Sequence, residues 1–180
     1  MAKNIFISYV HKMNEIDKNK LSNILKLLEY NDCSVKKGEI KEKINDKKIF
    51  KEIKRNYLSK ADITIVLLDQ HTMHRKHVDW EIKHSLKLLK KEKLEKIIFL
   101  FLKDYSNNNL FSEENCGKRI SRIFNNNLAS FDYFDNVIKD NKLIDILIKY
   151  SFNQNSKNFK GVMYKKLKQN LDCKICEKIN

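Results

Sequence analysis

Ile63-Thr-Ile-Val-Leu-Leu68 is a run of six apolar or β-branched residues held between two aspartates, Asp62 and Asp69. A strand with one wet face alternates polar and apolar residues. An unbroken run such as this predicts a parallel strand covered on both faces. Residues 97–102, Ile-Ile-Phe-Leu-Phe-Leu, read the same way. Between the two runs, Val78, Ile82, Ser85, Leu86 and Leu89 recur at helical spacing and predict a helix over about residues 78–91. Upstream, Asn4-Ile-Phe-Ile-Ser-Tyr9 predicts a first strand, and Leu21, Ile24, Leu25 and Leu28 mark a helix begun near Ile16, with Asn14 or Asp17 as its cap. A turn at Asn31-Asp32 leads into a weak strand, Cys33-Ser-Val-Lys36, and Ile49, Phe50, Ile53 and Tyr57 carry a second helix that ends near Lys60. Strands alternating with helices predict an α/β chain: an open parallel sheet of four to five strands with right-handed crossovers and helices on both faces.

Beyond residue 102 the pattern loosens. Residues 103–115 read as a polar loop, 119–124 as a short helix, 128–131 as a last strand and 137–150 as one helix. Residues 151–160 are an Asn/Ser/Lys linker, and Met163, Leu167 and Leu171 suggest a small amphipathic helix. The expected organisation is an α/β domain over residues 1–150 and a basic linker with a short helical C-terminal tail over residues 151–180.

Composition removes several functions. The chain has 180 residues with 3 glycines and no proline. Gly38, Gly117 and Gly161 are too scattered for a P-loop or a dinucleotide-binding glycine turn. The net charge of +14 comes from 37 basic against 23 acidic side chains, but only four of the basic residues are arginine: Arg55, Arg75, Arg119 and Arg122. Base and phosphate recognition favours the bidentate guanidinium, so this charge reads as a lysine-rich surface, and a nucleic-acid partner is not expected. The basic stretch 157–178 is where such a partner would bind if it existed. Cys173 and Cys176 form one Cys-x-x-Cys pair with no second pair to complete a zinc site, so no metal is expected and the four cysteines read as free thiols of a reducing cytosol. No secretory signal is legible, and the longest apolar run is far short of the ~20 residues that cross a bilayer. A cytoplasmic chain without membrane attachment is expected.

The segment Asp69-Gln-His-Thr-Met-His-Arg-Lys-His-Val-Asp-Trp-Glu-Ile82 carries the chemistry. It begins where a central strand ends, and ligands of open α/β sheets bind beyond the carboxyl ends of the strands. Glu81 lies three residues after Val78 and four before Ser85, so it belongs to the stripe that faces the sheet. Burying a carboxylate unpaired is costly, so Glu81 is either an anchored functional group or a first-turn helix residue with a surface lysine partner. Burial would raise its pKa, and the helix N-terminus would favour the anion. His71, His74 and His77 lack a matching carboxylate and read as loop and cap residues rather than ligands. Trp80 either stacks on a ring or packs in the core.

These residues resemble the bacterial TIR-like domains, especially the TIR subunit of the Thoeris antiphage defence system. The likeness covers about residues 4–102 in order and spacing: a first strand ending in Ser8 and an aromatic, Tyr9; the strand Ile63–Leu68; Gln70-His-Thr72; and Val78-Asp-Trp-Glu-Ile82. It implies a flavodoxin-like TIR fold, many of whose members cleave or cyclise NAD and release nicotinamide. It further implies that Glu81 is the catalytic glutamate, and that Ser8, Tyr9, His11, Gly38, Asp69, His71 and Trp80 line the pocket. NAD is then the substrate, with no separate cofactor. A cyclic ADP-ribose-type product would signal to a downstream effector, from an activity that can stay silent until infection. One residue departs from the family pattern: His77 stands where a tryptophan is usual. The competing reading is a non-catalytic TIR-like adaptor that works by self-association. A phosphoacceptor receiver is excluded because Ser8-Tyr9-Val10-His11 lacks the paired acids that hold magnesium.

Overall fold

The structure is a computed structural model, and it describes residues 2–11, 13–36, 38–39, 45–102, 113–150 and Phe159. Five parallel strands, β1 (Asn4–Ser8), β2 (Asn31–Asp32), β3 (Ile63–Leu68), β4 (Lys96–Phe101) and β5 (Ser130–Tyr133), form one sheet in the order β2-β1-β3-β4-β5. The helices are α1 (Glu15–Leu27), α2 (Asp46–Asn56), α3 (Lys76–Lys90), α4 (Glu113–Asn125), α5 (Phe134–Lys139) and α6 (Asn141–Lys149).

Side-chain parity along the strands builds two cores. Phe6, Val66, Leu68, Phe99 and Phe101 point to one face and pack against Ile53 of α2, Val78, Ile82, Leu86 and Leu89 of α3, and Ile120, Ile123 and Phe124 of α4. Ile5, Ile7, Ile63, Ile65, Leu67, Ile98 and Leu100 point to the other face, against Leu21, Ile24 and Leu25 of α1, Phe134 and Val137 of α5, and Ile144 and Ile148 of α6. Every residue of β3 is buried, as its unbroken apolar run requires. The expected doubly covered parallel sheet is thus present, with five strands.

The sheet order creates one topological switch point. The chain leaves β1 for β2 on one side and returns as β3 on the other, so a crevice opens beyond the carboxyl ends of β1 and β3. Ser8 ends β1 and Asp69 follows β3 at this edge.

Two elements differ from expectation. The second strand is Asn31–Asp32, not Cys33-Ser-Val-Lys36. Cys33 N–H still bonds to the Ile5 carbonyl, but the next ladder position is filled by a side chain: Ser34 Oγ accepts from Ile7 N at 2.6 Å. The backbone therefore turns away after one more bond. Ser34→Ala leaves that buried Ile7 N–H without its acceptor and is expected to cost about 1–3 kcal/mol, read from urea melts; unchanged stability would refute this role. The predicted helix over 137–150 is two helices, because Asp140 adopts an extended conformation and caps α6 by accepting from Lys142 N at 3.0 Å. Asn14 does occupy the N-cap position of α1, but its side chain makes no cap hydrogen bond. The expected linker and short helix of residues 151–180 lie outside the described residues, except that Phe159 packs against the α2–α3–α4 core.

Candidate active site

Glu81 sits in the second turn of α3, on the stripe that covers β1 and β3, and is 5% exposed. Parity supplies its partner. Ser8 points to the same face as Phe6, and its Oγ donates to Glu81 Oε2 at 2.5 Å. One turn further along α3, Ser85 Oγ meets Thr64 Oγ1 of β3 at 2.9 Å. A short polar column thus runs between sheet and helix inside an otherwise apolar layer. Glu81 Oε1 has no hydrogen-bond partner among the described residues.

Burial pushes the Glu81 carboxyl up to about 7, and the Ser8 hydrogen bond opposes that rise. Desolvation therefore outweighs the Ser8 hydrogen bond. A carboxylate poised near neutrality at the ligand edge of a sheet is suited to meeting a hydroxyl or a developing positive charge.

Beyond Ser8 the chain carries an aromatic and an imidazole, and Tyr9 packs into the core on the α1 face of the sheet. The Tyr9 ring lies 4.2 Å from that of His11, centroid to centroid, and Tyr9 OH donates to Glu15 Oε2 at 3.0 Å. Burial, the Glu15 hydrogen bond and the neighbouring carboxylates of Glu15, Asp32 and Glu81 all raise the Tyr9 pKa, so it stays a neutral phenol. Burial depresses the His11 pKa, with Lys18 and His77 adding to the effect against the pull of Glu15, so His11 is a neutral imidazole at pH 7.

The remaining expected site residues are distributed unevenly. Asp69 is buried and turned into its own loop, accepting from His71 N and Thr72 Oγ1, each at 2.8 Å. This is a side-chain-stabilised turn. His71 is buried in the same loop. Trp80 is 8% exposed and packs edge-on against Phe50 of α2 at 5.3 Å and against His77 at the same distance. Gly38 is exposed in the turn after β2, at φ +84, where a Cβ would meet nothing within 4 Å. Ser8 and Glu81 are brought together; Tyr9 packs on the opposite, α1 face of the sheet; Asp69 and His71 brace the loop after β3; Trp80 packs against α2; Gly38 lies in the turn after β2. Among the described residues no three His, Cys, Asp or Glu side chains gather to hold a metal ion.

Two pairings that position α3 have no signal in the sequence. Asp46, the first residue of α2, accepts from Lys76 Nζ at 2.6 Å and pairs with His77 Nε2 at 3.2 Å. Arg119 of α4 donates to both carboxylate oxygens of Asp79, at 2.6 and 3.3 Å, in a largely buried pair. The partners are 30 to 40 residues apart in sequence, and periodicity cannot report contacts at that range.

An all-parallel sheet of this order, with helices on both faces, defines a doubly wound, flavodoxin-like α/β domain. The family model described as Thoeris protein ThsB, TIR-like domain, matches residues 6–107, from β1 to just past β4, and the chain belongs to that family. No curated protein matches the chain. Among solved structures, it is similar to the TIR domains of the activated Roq1 resistosome directly recognizing the pathogen effector XopQ, at 15% identity over 80% of this chain and 78% of that one, with a TM-score of 0.39. No helix among the described residues is long and apolar enough to cross a membrane.

Proposed function

We propose that this TIR-like domain is an enzyme that cleaves the nicotinamide–ribose bond of NAD and passes the ADP-ribosyl group to water or to its own adenine. The observation that carries this reading is the buried Glu81, held by Ser8 at the switch-point edge with its second oxygen unengaged. The C1′–N bond breaks, its electron pair leaves with neutral nicotinamide, and positive charge develops on the ribose. The Glu81 carboxylate accepts the ribose hydroxyls and stabilises that charge in a site of low dielectric. Capture by water, with loss of its proton, gives ADP-ribose; capture by an adenine nitrogen gives a cyclic product. The cyclic product is the signal to a separate effector in antiphage defence. His11, held neutral, and the Asp69–His71 loop form the walls that hold the dinucleotide. Trp80 keeps the first turns of α3 in place.

Purified protein incubated with NAD, and nucleotide extracts of phage-challenged cells that express it, are expected to contain nicotinamide with ADP-ribose or its cyclic isomer by mass spectrometry. NAD left intact in both settings would overturn the assignment. The active form is the carboxylate, so kcat/KM is expected to rise as pH passes about 7 and then level off. Ser8→Ala removes the bond that favours the anion. It is expected to move that inflection to higher pH, with a several-fold loss of rate at neutrality that narrows in alkali. An unmoved inflection would show that Ser8 does not set the acidity of Glu81.

A further inference from the structure

On the face opposite α3, a cavity of about 620 Å³ lies between α1 and the edge strand β2. Its size falls within the ~300–1,000 Å³ typical of small-molecule sites. One wall is a line of α1 side chains at helical spacing: Glu15, Lys18, Ser22 and Lys26, about three turns long. The opposite wall is Asp32 of β2, with Lys36 beyond it towards the carboxyl edge of the sheet.

The charges in these walls are unequally committed. Lys18 is 6% exposed, and its Nζ meets Asp32 Oδ2 at 2.9 Å. Asp32 Oδ2 also accepts from Ser22 Oγ at 2.7 Å, and Oδ1 accepts from Ser34 N at 2.9 Å. Burial alone would raise the Asp32 pKa, but the hydrogen bonds from Ser34, Lys18 and Ser22 hold it below the ordinary value, so the pair is a fixed, internally neutralised part of the wall. Glu15 uses Oε2 for the Tyr9 hydroxyl and keeps Oε1. Lys26 and Lys36 form no ion pair among the described residues. The groove therefore offers two uncommitted ammonium groups and carboxylate oxygens with acceptor capacity to spare. The lining carries three ammonium groups against two carboxylates, and a molecule with both phosphate and hydroxyls can use both kinds of group.

We propose that the α1–β2 groove binds a sugar phosphate or nucleoside phosphate, its phosphoryl oxygens met by Lys36 and its hydroxyls by Glu15 and Asp32, with Lys26 at the far end of the groove adding to the positive field that draws it in. The site is separate from Glu81, on the other face of the sheet. Calorimetric titration of the full chain with ribose 5-phosphate, adenosine monophosphate and inorganic phosphate tests it. The two sugar phosphates are expected to bind saturably, and inorganic phosphate at least about tenfold more weakly, for want of hydroxyls. The double variant Lys26→Gln/Lys36→Gln, altered at two exposed positions, is expected to lose at least about tenfold in affinity, and Glu81→Gln to bind as wild type does. No saturable binding, unaltered binding by the lysine variant, equal binding of inorganic phosphate, or a loss confined to Glu81→Gln would overturn the proposal. Because Glu81→Gln is a separate arm, failure here is distinguishable from failure of the NAD reading.

Discussion

Glu81→Gln is expected to melt higher than wild type at pH 8. The folded-state carboxyl titrates near 7 and the unfolded one near 4.5, so the native state holds the proton more tightly. Below about pH 4.5 both states are protonated and the group imposes no penalty. Between pH 4.5 and 7 the unfolded state ionises first, and wild-type stability falls as pH rises; above 7 the penalty is complete, about 3 kcal/mol. Glutamine has nearly the same shape, can keep a hydrogen bond to Ser8 and carries no charge to desolvate. The variant should therefore gain roughly 5–10 °C at pH 8 and nothing near pH 4. Equal melting temperatures at both pH values would show that Glu81 does not pay for its burial.

Arg119→Ala is expected to have the opposite effect. It strips the Asp79 carboxylate of a bidentate guanidinium in a pair whose side chains are 6% and 14% exposed. Breaking one side of a buried pair costs about 3–5 kcal/mol, because the remaining charge stays desolvated. For a chain of this size that corresponds to a fall of roughly 6–20 °C in Tm. Asp79 lies two residues before Glu81, so the loosened first turn of α3 should also reduce turnover. Adding Asp79→Asn removes the stranded charge and should recover part of the lost stability. If the double variant is no more stable than Arg119→Ala, the pair is not the source of the loss. Arg119→Lys should fall between the two, since an ammonium cannot reproduce the fork.

How much of this was legible beforehand depended on range. β3 and β4 announce themselves because burial on both faces leaves an apolar run that no turn residue interrupts. Glu81 was legible for the same reason: a carboxylate on the stripe of Val78, Ile82 and Ser85 is out of place unless something holds it. What holds it was also within reach, since Ser8 shares the parity of Phe6. The second strand was misplaced because two residues, Asn31 and Asp32, carry no pattern at all. They pair as a strand only because β1 lies beside them, and Ser34 then ends the ladder with its side chain. The break at Asp140 was hidden by apolar positions that keep helical spacing across two short helices. The Asp79–Arg119 and Asp46–Lys76 pairs depend on how α2, α3 and α4 pack, which no local pattern encodes. The α1–β2 groove was invisible for a related reason. Its lysines are indistinguishable in sequence from the many that merely cover the surface, and only the fold sets Lys26 and Lys36 about one cavity.

The reading of Glu81 as the charge-stabilising group is tested most directly by nicotinamide release from NAD, measured at pH 8 for wild type and Glu81→Gln side by side, with melting curves to show that both are folded. Wild type is expected to release nicotinamide, and the folded variant to be slower by about a hundredfold to a thousandfold. Equal release by the two proteins would contradict it.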